Sequence, residues 1–279
     1  RKRFKAFRAG MQYQESLSNR DVGTCILSIS DLHIPFQKPI ETFSEYAGKI
    51  DILQINGDLV DAQAISRFNK VYRKSPMEEI LIARQYMIDL IEMLQPKKVV
   101  VNYGNHDLRF QNYLAKNLDT DLLELMPKTS LELIFVDGFN HYNKELHTKV
   151  HYDPLIDVFK DSGIEIVYND TWFSFVGETI FVHPLAYSSG MLKTAEKAYR
   201  YFKDNDYFFD NIVMAHTHKT GHYDIGNSVI YEQGCCCETS KMDYADGKLT
   251  PSQREGFILV YQDKFGRLNE DKTRIVRLN

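Results

Sequence analysis

Residues 98–107 read KVVVNYGNHD: three consecutive valines that run, through Gly104, into Asn105, His106 and Asp107. Valines in a row without polar alternation mark a strand buried on both faces, as in parallel sheets flanked by helices. The residues after it carry an amide oxygen, an imidazole and a carboxylate. The pattern recurs along the chain. CILSIS at 25–30 runs into Asp31-Leu32-His33, and DILQIN at 51–56 runs into Gly57-Asp58-Leu59-Val60-Asp61. A strand over Thr179–His183 ends in His183 itself, and NIVMA at 211–215 runs into His216-Thr217-His218. Rigid strands that deliver ligand-rich loops to one edge of an α/β sheet are where sites form.

The remaining pattern supports sheets covered by helices. Glu78–Leu94 has apolar residues at Ile80, Leu81, Ala83, Tyr86, Met87, Leu90, Ile91 and Leu94, a helical spacing between Pro76 and Pro96. A second helix is expected over Gln111–Met126, stopped by Pro127. Further on, the chain reads as a strand over Leu131–Val136, a helix over Pro154–Ser162 and strands over Ile164–Tyr168 and Trp172–Val176. The last of these forms a hairpin with Thr179–His183 around Gly177-Glu178. A helix is expected over Leu192–Phe202. Val229–Gln233, Phe257–Gln262 and Thr273–Leu278 read as antiparallel strands.

Composition narrows the function classes. The 279 residues hold 34 Lys and Arg against 38 Asp and Glu, a net charge of −4, which excludes a protein held to nucleic acid by global charge. Apolar residues at 43% and aromatics at 13% are enough for a large core, so disorder is excluded as the main state. RKRFKAFR at 1–8 carries five basic residues and no acid; the other 29 basic and 38 acidic residues give a body of net −9. Residues 1–20 are expected to be a basic tail or linker, and 21–279 a single domain. The chain starts at Arg1 without an initiator Met, as either a trimmed chain or a fragment of a longer one would. Four cysteines, three of them consecutive at 235–237, make neither a disulfide framework nor a zinc knuckle. A reducing, cytoplasmic setting is expected. No apolar run approaches the roughly 18 residues of a membrane span, so no membrane partner is expected.

The strand-end residues suit hard and borderline cations. A carboxylate can bridge two ions, and imidazole and amide oxygen complete such sets. In D-x-H and H-x-H, ligands two apart on an extended segment project to one side. Asp, Asn and His without thiolate disfavour a structural zinc site and favour a dinuclear catalytic centre with open positions.

Together these five motifs resemble, in order, those of calcineurin-like metallophosphoesterases, over about residues 25–235. The resemblance implies a metallophosphoesterase-like four-layer α/β/β/α sandwich of two mixed β-sheets flanked by helices. It implies that Asp31, His33, Asp58 and His218 hold one metal and that Asp58, Asn105, His183 and His216 hold a second, with Asp58 bridging. His106 would protonate the leaving oxygen or stabilise phosphoryl charge, Asp107 would orient that imidazole, and Asp61 would buttress the first site. The implied cofactors are two divalent ions among Mn, Fe, Zn and Ni, with Mn favoured. The implied reaction is hydrolysis of a phosphodiester or phosphomonoester by a metal-bridging hydroxide. Partners are then phosphate-ester substrates, nucleotides and nucleic acid included. A DNA/RNA nuclease of the same fold, using the tail and the basic helix with Lys193, Lys197, Arg200 and Lys203, is the alternative. A non-catalytic protein-binding scaffold is a third reading, and it predicts eroded ligands.

The chain departs from the family in places. Ala215 and Pro184 stand where Gly is usual. Val60-Asp61-Ala62 lacks the Arg-Gly of protein Ser/Thr phosphatases and diadenosine tetraphosphatases. The 77 residues between Asn105 and His183 exceed a minimal member, so a cap or insertion is expected at about 127–170. Arg109 is placed to contact the scissile phosphate or to pair with an acid, and Arg67 is a weaker candidate of that kind. His141, His147, His151 and His222 are expected at the surface, and Cys235–Cys237 packed beneath the site.

Overall fold

The computed structural model describes residues 23–66, 74–188, 190, 192–242 and 253–278. The tail at 1–20 and Arg67 therefore lie outside the described residues. The apolar runs form the centre of the molecule. β1 (Thr24–Ile29), β2 (Ile52–Asn56), β3 (Lys98–Asn102) and β6 (Glu165–Asn169) lie side by side and parallel. Antiparallel β12 (Gly256–Gln262) and β13 (Arg274–Arg277) extend this sheet beyond β1. A second sheet runs β10 (Thr220–Ile225), β11 (Ser228–Gln233), β9 (Asn211–Met214), β8 (Thr179–Val182) and β7 (Phe173–Val176). Both sheets are mixed.

Period-two alternation sorts side chains into layers. Leu27, Ile29, Leu53, Ile55, Val99 and Val101 form one cluster with Ile80, Ala83, Met87, Leu90, Ile91 and Leu94 of the helix Pro76–Leu94. Ile26, Ile258 and Val260 meet Phe181, Val213 and Tyr231 between the sheets. Ile180, Val182, Ile212, Met214 and Ile230 cover Ala195, Ala198 and Phe202 of the helix Lys193–Asp204. The result is a four-layer α/β/β/α sandwich. The first helix starts where Ser75 Oγ accepts from the Glu78 amide and the Glu78 carboxylate accepts from the Ser75 amide, a capping box ahead of Pro76.

Several expected elements differ. Gln111–Met126 is not one helix. A helix over Arg109–Asn117 ends at Leu118, and Asp119 caps a short turn at Thr120–Leu123. Leu131–Val136 is helical rather than a strand. Thr129 Oγ1 accepts from the Glu132 amide, and Leu131, Ile134 and Phe135 point inward at helical spacing, which overrides their β propensity. The helix at Pro154–Ser162 is one turn, Leu155–Val158. Val229–Gln233 is antiparallel to β10 but parallel to β9. Three strands were not anticipated: edge strand β10, and the separate hairpin β4 (Phe139–Asn143) and β5 (Thr148–Tyr152). Each is half exposed, so none carries a strong apolar run.

Candidate metal centre

Every motif loop leaves its strand at the same end of the sandwich, and the loops bond to one another. Asp31 and His33 donate backbone N–H to Gly57 and Asp58 carbonyls at 3.1 Å each. Asp31, His33, Asp58, His216 and His218 have φ of 50°, 45°, 54°, 78° and 52°. The expectation that D-x-H and H-x-H are extended is therefore corrected: left-handed residues turn these side chains inward. Asp and His tolerate this region better than most, and strain of order 1–3 kcal/mol per residue is typical of functional loops. Gly57 has φ of 80° and a Cβ there would overlap the His183 ring; one at Gly104 would overlap the Asp58 carboxylate.

Two clusters result. Ligand atoms of Asp31, His33 and His218 lie within 4.8 Å of one another, as do those of Asp58, His183 and His216. In the first, His218 Nε2 is 3.1 Å from both Asp31 Oδ1 and His33 Nε2. In the second, His183 Nε2 is 3.2 Å from both Asp58 Oδ2 and Asn105 Oδ1. Asp58 Oδ2 is also 3.9 Å from His33 Nε2, so this carboxylate lies between the clusters. All these side chains are buried except those of Asn105 and His216, which are partly so.

The donor set fits a cation. The Asn56 carbonyl accepts the His183 Nδ1 proton at 2.8 Å, so in the neutral ring Nε2 presents a lone pair. In the neutral ring that lone pair faces two oxygen acceptors, so the arrangement calls for a positive charge there, either a proton on Nε2 or a cation between the three groups. His216 Nε2 is buried with no hydrogen-bond partner beside the same group. Titration follows the same geometry. Burial opposes charge on His183, but Asp58 and Asp31 outweigh it and raise its pKa to about 9. Burial, then the neighbouring His183, lowers His216 to about 4. Asp58 resists its own burial because His183 and His106 hold it well below the usual carboxylate range.

His106 closes a third group with His33 and Asp58. Asp107, expected to orient this ring, does not. Its Oδ2 accepts from the Asp58 and Gly104 backbone N–H groups at 2.8 Å each, and burial, then Asp58, raises it to about 7. Asp61 lies against this ring instead, with Oδ1 at 2.9 Å from His106 Nδ1 and 3.4 Å from His33 Nδ1, and its backbone carbonyl at 3.2 Å from His106 Nδ1. Arg109 Nη2 is 2.9 Å from His106 Nε2, and Arg109 Nη1 donates to the Asp61 carbonyl at 2.7 Å. Sequence reasoning missed the support behind Asp31. Ser30 Oγ donates to Asp31 Oδ2 at 2.7 Å, and Gln233 Nε2 donates to Ser30 Oγ at 2.8 Å. The available signal was a serine and a glutamine at the ends of otherwise apolar strands.

Other candidates fall away from this centre. His151 pairs with Asn140 and Asp153 on the exposed hairpin, and His222 is exposed on β10. In the basic helix, Arg200 pairs with Glu196, Lys197 donates to Ser188 Oγ, and Lys203 donates to the Phe209 carbonyl at 2.6 Å. Among the described residues no helix is long and apolar enough to cross a membrane.

Residues 26–220 match the family described as calcineurin-like phosphoesterase. No curated protein matches the chain. Similar solved structures include Vacuolar Protein Sorting 29 from Cryptosporidium parvum, at 15% identity and a TM-score of 0.42, covering 92% of this chain and 98% of that one. A metallophosphoesterase from Sphaerobacter thermophilus has 14% identity and a TM-score of 0.42, covering 92% and 89%. An archaeal phosphodiesterase has 14% identity and a TM-score of 0.42, covering 91% and 99%.

Proposed function

Because the chain belongs to the calcineurin-like phosphoesterase family, we propose that it is a metal-dependent hydrolase of a phosphodiester or phosphomonoester. The observation that carries this is the approach of His183 Nε2 to Asp58 Oδ2 and Asn105 Oδ1 at 3.2 Å each, with Nδ1 committed to the Asn56 carbonyl. Asp31, His33, Asp58 and His218 would hold one divalent ion, and Asp58, Asn105, His183 and His216 a second, Mn²⁺ being favoured. Bound there, the ions supply charge neutralisation and an acidified water.

The chain's own groups do the rest. A guanidinium can only donate, so His106 Nε2 accepts from Arg109, and the ring's one proton sits on Nδ1 facing Asp61. An incoming phosphate draws Arg109 onto its oxygens and releases Nε2. Nε2 then takes up a proton from bulk water and passes it to the leaving oxygen, while Asp61 stabilises the imidazolium and holds its plane. The 127–170 stretch expected as a cap or insertion carries the β4–β5 hairpin. Its base is anchored by Phe139 stacked on Tyr152 and by Arg84 donating to the Asp153 carbonyl at 2.8 Å.

The nuclease alternative would draw on the tail, which lies outside the described residues, and on the helix Lys193–Asp204, where Lys197, Arg200 and Lys203 make contacts within the chain. The test is hydrolysis of bis(p-nitrophenyl) phosphate and p-nitrophenyl phosphate by the Mn²⁺-loaded protein. Activity should be lost on chelation and return with Mn²⁺. Asp58→Asn should lose both bound metals and all turnover. Two ions retained with normal activity in Asp58→Asn would overturn the assignment.

A further inference from the structure

Gly234–Cys237 leaves β11 as an extended strap beneath the β1 loop. Cys235 N–H donates to the Arg254 carbonyl at 3.1 Å, Cys236 N–H donates to the Ser30 carbonyl at 2.9 Å, and the Cys236 carbonyl accepts from the Lys38 amide at 2.9 Å. Alternation along this strap separates the three thiols. Cys236 enters the main core cluster, whereas Cys235 and Cys237 share the opposite face with Met242 and Phe36. The result concentrates sulfur. Cys237 Sγ lies 3.4 Å from Met242 Sδ, and donor atoms of Cys235, Cys237 and His218 lie within 4.8 Å of one another. All four side chains are buried.

Two thiols, a thioether and an imidazole form a donor set of a different kind from the Asp, Asn and His centre beside it. Thiolate and thioether select soft cations, and manganese and magnesium are poorly matched to them. The backbone bonds that pin the strap hold the two thiols in place, so little ordering is needed for an ion to enter. From this we infer that Cys235, Cys237, His218 and Met242 form a binding site for a soft d¹⁰ cation of the Zn²⁺, Cd²⁺ or Cu⁺ class. Binding forms metal bonds to the Cys235 and Cys237 thiolates, the Met242 thioether and one His218 ring nitrogen, and releases the two thiol protons to solvent. His218 is common to both centres, since its Nε2 is also 3.1 Å from Asp31 Oδ1; with both occupied, its ring would bridge them as imidazolate and release its remaining proton to solvent.

The test uses the full, reduced chain and Cd²⁺ alone. Titration should produce the ultraviolet thiolate-to-cadmium charge-transfer band, saturating at the amplitude of two thiolates, and excess Mn²⁺ should leave it standing. Cys235→Ser and Cys237→Ser should each halve the band and the double variant should abolish it, while Cys25→Ser should leave it unchanged. A native protein without the band, or a band that survives in the double variant, overturns the site. Cadmium X-ray absorption on the unaltered protein decides the matter even where a variant does not fold. Sulfur neighbours support the site, and a shell of nitrogen and oxygen alone overturns it.

Discussion

Arg109 and His106 face each other across 2.9 Å, guanidinium Nη2 to imidazole Nε2, with Asp61 Oδ1 at the same distance from the other ring nitrogen. The ring is held at both ends, and its tautomer is set by a donor that cannot accept. Arg109→Ala should therefore raise KM for a phosphate ester, since the fork that would follow the phosphate is gone. Arg109→Lys should recover only part of the loss, because an ammonium cannot replace the planar fork. Metal content should not change in either variant. Steady-state kinetics with metal analysis checks this, and a wild-type KM in Arg109→Ala would exclude a substrate contact.

Asp61 and Asp107 should part company on mutation. Asp61→Asn removes the charge facing both His106 and His33, and loss of such a partner typically costs about 10–100-fold in activity or metal affinity. The protein should fold normally. Asp107→Ala leaves the Asp58 and Gly104 amides without their buried acceptor, at about 1–3 kcal/mol for each. It should melt earlier and bind metal poorly, whereas Asp107→Asn keeps an acceptor and should be mild. Thermal melts paired with kinetics separate the two, and equal effects on turnover with no change in melting would contradict the division.

Gly104→Ala tests the space at the Asp58 carboxylate. A methyl there would overlap Asp58 Oδ1 and sit 2.7 Å from the Asp58 amide nitrogen. The Asp58 loop must move, so metal occupancy should fall even where the protein remains folded. Retention of two ions by the folded variant would show that Asp58 is not placed by this contact.

Away from the centre, Glu178 shares a hydrogen bond with Asp210, which raises its pKa to about 7, with burial adding to the effect. The folded state thus binds this proton more tightly than the unfolded chain, whose carboxyl sits near 4.5. Stability from the pair is complete below pH 4.5 and declines as pH rises through 7. Glu178→Gln should flatten that decline, raising Tm at pH 8 relative to the parent while changing it little at pH 5. A Tm difference independent of pH would refute the shared proton.

Much of the fold was legible because parallel strands buried on both faces have no polar alternation. KVVVN, CILSI and NIVM stand out for that reason, and each lies in a sheet where the run predicts. The misread elements have partly exposed or locally capped sequences. Leu131–Phe135 has β-forming composition, yet the Thr129 cap and inward spacing at 131, 134 and 135 make it helical. The β4–β5 hairpin and β10 expose alternate residues and so resemble loops.

The sequence by itself determined which residue types end the strands and in what order, and hence a candidate metal centre in an α/β sandwich. Only the tertiary structure decided how those side chains aim. Left-handed turns at Asp31, His33, Asp58, His216 and His218 bring the ligands inward, and such turns depend on hydrogen bonds between loops far apart in the chain. The division between Asp61 and Asp107 was settled the same way. Both carboxylates are within reach of the motif in sequence, but backbone N–H groups of Asp58 and Gly104 claim Asp107, which leaves the imidazole to Asp61. Spacing can place a carboxylate in a loop, but its partner depends on which buried donors the folded chain leaves unsatisfied.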